Sequence, residues 1–106
     1  MHFKNTLSHE RRRLIKLMQT INFGRIEQLN VRQCQPMFTP SPIVVREHKF
    51  SAENGPRAER HSDNFLLKRQ VIELFEQLDA IRDGIIDEIE IKHGLPFRMV
   101  VREVAA

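Results

Sequence analysis

The chain has 106 residues, 41% apolar and 29% charged, with a formal charge of +3; that is room for one ordinary globular domain with one core and no second. No apolar run approaches the roughly 20 residues that span a bilayer, and Met1-His2-Phe3-Lys4-Asn5-Thr6 leads into charge rather than an apolar stretch, so neither a membrane span nor a secretory signal is expected. Cys34 is the sole cysteine, which excludes an internal disulfide and is compatible with a reducing cytoplasm, the expected location.

Charge is unevenly spread. Residues 1–60 carry 11 Lys/Arg against 5 Glu and no Asp, a balance of +6, and residues 61–106 carry 6 Lys/Arg against 9 Asp/Glu, a balance of −3. Such polarity has two readings. Either the basic half meets an external anion such as nucleic acid, or the halves attract each other within or between chains.

In chain order, Ser8 reads as an N-cap with Glu10 in the first turn, where the helix dipole favours it. Leu14, Leu17, Met18 and Ile21 then follow the i, i+3, i+4, i+7 spacing of one helical face. Gly24 stands where the chain leaves the helix, and glycine accommodates a positive φ there. Ile26, Leu29 and Val31 are spaced by three and then two, whereas a regular strand alternates by two. A β-bulge near Glu27-Gln28 reconciles the spacing; otherwise Ile26 belongs to the turn. Gln33-Cys34 marks a hairpin of poor turn chemistry. Pro36 lacks a donor, so its place on the return strand faces a sheet edge or solvent. Thr39-Pro40-Ser41-Pro42 follows, and Ile43-Val44-Val45-Arg46-Glu47 closes the unit.

Residues 48–62, broken by Asn54-Gly55-Pro56, are too polar for a core and read as a connecting loop. The second helix is capped by Ser62 or Asp63 and carries Leu67, Val71, Leu74, Phe75 and Leu78 on one face. Gly84 repeats the role of Gly24. Ile86, Ile89 and Ile91 repeat the three-then-two spacing, which predicts a second bulge near Asp87-Glu88. His93-Gly94 supplies the turn of a tight hairpin. After Pro96, Phe97, Met99 and Val101 alternate with Arg98 and Arg102.

The chain matches itself at an offset of sixty. Leu14, Ile21, Gly24, Ile26 and Pro36 fall on Leu74, Ile81, Gly84, Ile86 and Pro96. Past the four extra residues 39–42, Ile43-Val44-Val45-Arg46-Glu47 falls on Met99-Val100-Val101-Arg102-Glu103. The shared Val-Val-Arg-Glu, glycine and proline favour duplication over convergence under like packing demands. One helix over one hairpin buries too little apolar surface to stand alone. Two tandem α-β-β units, 8–47 and 63–103, are therefore expected to fold as one α+β domain spanning 1–106. Its four-stranded antiparallel sheet would have both helices on one face. On the other face Val44 and Val100 would contribute to an exposed apolar patch. With Arg46 and Arg102 they are the candidate partner-binding residues.

The stretch Leu14-Ile15-Lys16-Leu17-Met18-Gln19-Thr20-Ile21-Asn22-Phe23-Gly24, with Ile26 to Val31 and a turn, resembles a family of short bacterial proteins without an established function. Those proteins have one such helix, a Tyr/Phe-Gly pair, a strand and an Asp-Gly-Lys type of hairpin. The resemblance covers about a third of the chain in each copy, by the logic of internal repeats. Gln33-Cys34 stands in for the family's glycine turn in the first copy, and Asp83 for its aromatic in the second. It implies architecture only, with no activity and no catalytic residue.

No chemistry-bearing constellation stands out. His2, His9, His48, His61 and His93 share no metal-ligand spacing with one another or with Cys34. Asp83, Asp87, Glu88 and Glu90 form an acidic cluster, but Glu88 and Glu90 alternate on one strand face, as a solvated face does. Without a phosphate loop, a nucleophile elbow or a paired base, no enzyme, cofactor, metal or small-molecule substrate is expected. Arg12 and Lys16 lie opposite the apolar stripe of the first helix, flanked by Arg11 and Arg13, and such a face can neutralise phosphates. Against that, Trp and Tyr are absent, and the second helix mixes Arg69 with Glu73 and Glu76. The leading expectation is a non-enzymatic module that binds itself or a protein partner. The alternative is a nucleic-acid-binding accessory protein led by Arg11, Arg12, Arg13 and Lys16.

Overall fold

A computed structural model describes residues 7–50 and 68–103. Two helices, α1 (His9–Ile21) and α2 (Arg69–Ile81), lie with five strands: β1 (Gly24–Arg32), β2 (Gln35–Met37), β3 (Ile43–Arg46), β4 (Gly84–Lys92) and β5 (Leu95–Val101). The strands form one antiparallel sheet in the order β2-β1-β4-β5, and β3 also pairs with β1. The class is α+β.

The four strands expected are five. β2 pairs with Asn30 to Arg32 and β3 with Gly24 to Glu27, so both lie along one strand, at opposite ends. Residues 39–42 separate them. Pro40 and Pro42 offer no N–H to a ladder, so the return path breaks there. In the second half no such segment intervenes, and β5 runs unbroken for 7 residues.

At the centre, β1 and β4 pair in a ladder that reads alike from either strand. Gly24↔Ile91, Arg25↔Glu90 and Ile26↔Ile89 recur as Val31↔Gly84, Asn30↔Ile85 and Leu29↔Ile86. Gln28 is left out of that pairing and has φ 57. Asp87 opposite it is left out as well, and the register is the same on either side, so the bulge expected near Glu27-Gln28 is not found as a register shift in this ladder. The positive φ of Gln28 interrupts the alternation and keeps Ile26, Leu29 and Val31 on one buried face. β4 slips against β5 between Ile86 and Glu88, at the second expected position.

The core is the layer between this sheet face and the helices: Leu14, Met18, Ile26, Leu29, Leu78, Ile86, Ile89 and Ile91 are all at most 1% exposed. Each such side chain contributes roughly 1.5–3 kcal/mol when taken from water. Ser8 caps α1, its Oγ accepting from the Arg11 N–H at 3.2 Å, and Glu10 sits in the first turn. The cap expected for the second helix is corrected. α2 begins at Arg69 with Lys68 as N-cap and no side-chain cap bond, because Lys68 brings no acceptor where α1 has a hydroxyl. Ser62, Asp63 and Leu67 lie outside the described residues, as does the connecting loop from residue 51 onward.

Positive φ falls on the helix C-caps, Asn22 (φ 62) and Arg82 (φ 64), more than on the glycines. Gly24 has φ 151, but Gly84 is not in that region. What Gly24 provides is room. A Cβ there would lie 2.1 Å from the Val45 carbonyl oxygen of β3, whereas at Gly84 it would meet only the Ile81 Cγ2 at 3.2 Å.

Both hairpins turn on two residues of positive φ, Gln33 (φ 51) with Cys34 (φ 66) and His93 (φ 56) with Gly94 (φ 74), as tight hairpins of this twist require. Each turn docks on the opposite helix end. The Cys34 N–H donates to the Arg82 carbonyl at 2.9 Å, and the Gly94 N–H to the Asn22 carbonyl at 2.9 Å. No described helix is long and apolar enough to cross a membrane.

Candidate interaction site

Strand alternation sends one set of side chains into the core and leaves the other on a face without helices. Two lateral rows cross this open face. One runs Val45, Arg25, Glu90, Arg98, and the next runs Ile43, Glu27, Glu88, Val100. Its centre is charged and ion-paired. Arg25 Nε donates to Glu27 Oε2 at 2.6 Å and lies 3.9 Å from Glu88. Arg98 spans Glu88 (3.1 Å) and Glu90 (3.2 Å), and Arg102 Nε meets Asp87 Oδ2 at 2.6 Å. The hydrogen bond from Glu27, joined by the field of Glu88 and Glu90, raises the Arg25 pKa above its ordinary value, so that guanidinium stays charged throughout the physiological range. Pairs this exposed are each worth about 0–1 kcal/mol, so they set a charge pattern more than they hold the fold.

Apolar side chains flank this centre. Ile43 is 52% exposed, Ile85 45% and Val100 37%. At one end the face deepens into a cleft of about 630 Å3, where Phe23, Lys49, Lys92 and Arg98 join Arg25 and Glu90. Lys49 Nζ stands 4.9 Å from the centre of the Phe23 ring, and His93 meets that ring edge-on at 4.8 Å between centroids.

Val44 and Val100 do not share a face. Val44 pairs with Ile26 and packs against the core, while Val100 pairs with Glu88 on the open side. The expected patch is corrected accordingly: its exposed members are Ile43 and Val100, interrupted by charge. The cause is a one-residue difference in register between the halves: Ile26 meets Val44, whereas its counterpart Ile86 meets Val101, the counterpart of Val45, and a shift of one residue turns a strand's side chains over. A second slip, between Glu90 and Ile91, ejects Phe97 from the expected alternation with Met99 and Val101. It is 61% exposed, with Lys92 Nζ 3.9 Å from its ring centre. Arg46 donates to the Thr20 carbonyl at 2.9 Å, at the end of α1. Arg102 is 87% exposed beyond its bond to Asp87.

The helix layer carries the other candidate residues. Arg12, Arg13 and Lys16 are exposed on α1, and the Arg13 guanidinium lies 4.3 Å over the Phe38 ring. Arg11 faces inward, 13% exposed, and does not share their surface. Its Nη2 donates to the Cys34 carbonyl at 2.9 Å and to Asp79 Oδ1 at 2.5 Å, and its guanidinium stacks 5.0 Å from the Phe75 ring centre. Of the acidic cluster, Asp83 accepts from the Gln33 N–H at 3.0 Å. Among the described residues no group of three His, Cys, Asp or Glu is close enough together to hold a metal ion; His2 and His61 lie outside them.

Sequence reasoning missed Arg25, Arg98, Phe23 and Lys92 as surface elements. They converge only through the β1–β4 register, for which no local signal exists. The three-then-two spacing of Ile86, Ile89 and Ile91 pointed to the irregularity at Asp87-Glu88 but not to which neighbour would slip.

The chain matches no family model, no curated protein and no solved structure.

Proposed function

We propose that the chain is a small non-enzymatic interaction module of two tandem α-β-β units, working in the cytoplasm and binding itself or a protein partner. One observation carries this reading: Ile43 and Val100, 52% and 37% exposed, stand at the two ends of a single row across the open sheet face, with Glu27 and Glu88 between them. Apolar groups held out by a fixed backbone and set around charges suit a protein surface. The tandem description draws support from helices of 13 residues each, central strands of 9 residues each and the reciprocal docking of the turns. The resemblance to short bacterial helix-plus-hairpin proteins agrees with it.

The alternative is an accessory nucleic-acid binder, favoured by the exposure of Arg12, Arg13 and Lys16. Such binding rests on phosphate neutralisation and weakens steeply with salt. Light scattering after size exclusion and affinity capture on the immobilised chain, each at low and high salt, test the first reading. Association is expected to fall in the Ile43→Asp, Val100→Asp chain. A strict monomer that retains no protein defeats it. Retention of DNA or RNA that disappears in the Arg12→Glu, Lys16→Glu chain would establish the alternative instead.

A further inference from the structure

The helices put opposite charges at matching places. Sixty residues apart, Arg13 corresponds to Glu73 and Lys16 to Glu76, and all four side chains are exposed. They lie on helices of equal length that cover the same sheet face. Within the chain the helices are tied side by side by Arg11, which reaches Asp79 and the Phe75 ring. Arg12 and Lys16 have no carboxylate partner among the described residues, and neither does Glu76; Glu73 has only a 3.9 Å pair with the 89%-exposed Arg69. The result is a layer that is positive along one helix and negative along the other.

An acidic peptide would be repelled by α2, and nucleic acid would be repelled by it too. A second copy of the same layer, turned by a two-fold rotation, sets each basic α1 on the other copy's acidic α2. Because a two-fold contact uses the same surface on both sides, the complementarity is then satisfied twice. The acidic side also has somewhere for apolar atoms to go. Between α2 and β5 runs a groove of about 320 Å3, walled by Leu74, Phe97 and Met99 and rimmed by Glu73 and Glu76. On the basic side the Arg13 guanidinium stands 4.3 Å over the Phe38 ring, an aromatic capped by a cation.

We infer that two copies of the chain associate through this helix layer, α1 of each against α2 of the other. The inference rests on the interaction-module reading only in taking a protein as the partner; it names a second copy and places the contact on the helix layer, a different face from the one that Ile43 and Val100 occupy. The open sheet face is left free in such a pair.

Charge exchange on the full chain is the test. Arg13→Glu with Lys16→Glu makes both helices acidic, and Glu73→Lys with Glu76→Lys makes both basic. Each variant alone is expected to be monomeric by sedimentation velocity at a concentration where the unmodified chain is dimeric, with Kd raised at least ~10-fold. An equimolar mixture of the two is expected to form a heterodimer, because both contacts are then restored. Screening should weaken the unmodified dimer as salt rises from 50 to 500 mM, since charges beyond a few ångströms are shielded there. Circular dichroism of each variant checks that it is folded.

An unmodified chain that stays monomeric at ~100 µM and low salt overturns the inference, as does a mixture that fails to pair while each variant remains folded. A dimer that withstands both exchanges but is lost in the Ile43→Asp, Val100→Asp chain overturns the helix contact and keeps the module reading. A monomer that also captures no protein ends both. Nucleic-acid binding that depends on Arg13 and Lys16 alone, indifferent to Glu73 and Glu76, would replace the second copy with a polyanion.

Discussion

The halves of the molecule, residues 9–46 and 69–101, agree inside and differ outside. Buried positions match nearly residue for residue: Leu14 with Leu74, Ile15 with Phe75, Met18 with Leu78, Ile26 with Ile86, Leu29 with Ile89 and Val31 with Ile91. On the helices the exposed positions do not, and Arg13 and Lys16 stand against Glu73 and Glu76 in that comparison. Packing restricts what a close-packed interior tolerates, while an exposed charge contributes so little to folding that it can change sign without loss of the fold. Arg11 marks the boundary. Its counterpart is the buried Val71, so a cation serves on one side where an aliphatic serves on the other.

If the interiors are equivalent, equal injuries should hurt equally. Ile26→Ala and Ile86→Ala each remove a side chain with 0% exposure from the middle of the sheet. Each is expected to cost about 2–5 kcal/mol, the two agreeing within about 1 kcal/mol, by urea unfolding. A large gap would show that one half carries the core and the other merely leans on it.

The glycines should break the symmetry. Gly24→Ala drives a methyl group onto the Val45 carbonyl, and Gly84→Ala only against the tip of Ile81. The first is expected to cost about 2–3 kcal/mol and the second less than about 1 kcal/mol. The difference exists because β3 returns directly beside Gly24, whereas β5 ends its pairing at Ile86. Equal losses would mean that the approach of β3 relaxes at no cost.

These contrasts also show what a sequence reader could reach. Helical periodicity located the buried face of α1, and the three-then-two spacing of Ile86, Ile89 and Ile91 located the slip of β4 against β5, since both are local consequences of backbone geometry. The glycine at 24 was legible as a special position, but its cause was not. It depends on a strand about twenty residues away; the positive φ expected of both glycines is found at Gly24 (φ 151) but not at Gly84, and the helix C-caps Asn22 and Arg82 adopt it as well. Val44 and Val100 looked alike because the strings around them are alike. β3 meets β1 one residue out of step with β5 on β4, which puts them on different faces, and no residue in Val-Val-Arg-Glu announces it. Arg11 read as one more surface arginine because Phe75, Asp79 and the Cys34 carbonyl come to it from distant parts of the chain.

That arginine supplies the next contrast. Arg11→Met keeps the apolar stem and removes the bonds to the Cys34 carbonyl and to Asp79, a carboxylate whose 62% exposure discounts its share. The Arg11 Nε is buried without a partner, which offsets part of the loss. A net cost of about 1–2 kcal/mol is expected. An unchanged unfolding midpoint would show that packing on Phe75 is all the site requires.

The smallest effects should come from the turns, and with opposite signs. Both hairpins need positive φ at two residues, but Gly94 adopts it freely while Cys34 holds φ 66 with a Cβ. Cys34→Gly relieves that strain and gives up only a 3.7 Å contact of the thiol with the Asp79 carbonyl. Gly94→Ala introduces the same strain in the second half. The first change is expected to raise stability by about 0.5 kcal/mol and the second to lower it by about 1 kcal/mol. The backbone bonds of Cys34 to Arg82 and of Gly94 to Asn22 should survive both changes, because each uses a main-chain N–H. Slowed hydrogen exchange at those two amides, retained in both variants, would show that the turns are held by their docking on the opposite helix ends. If Gly94→Ala instead frees its amide while Cys34→Gly leaves the other protected, the hairpins are held by different means, and the likeness of the halves stops at the core.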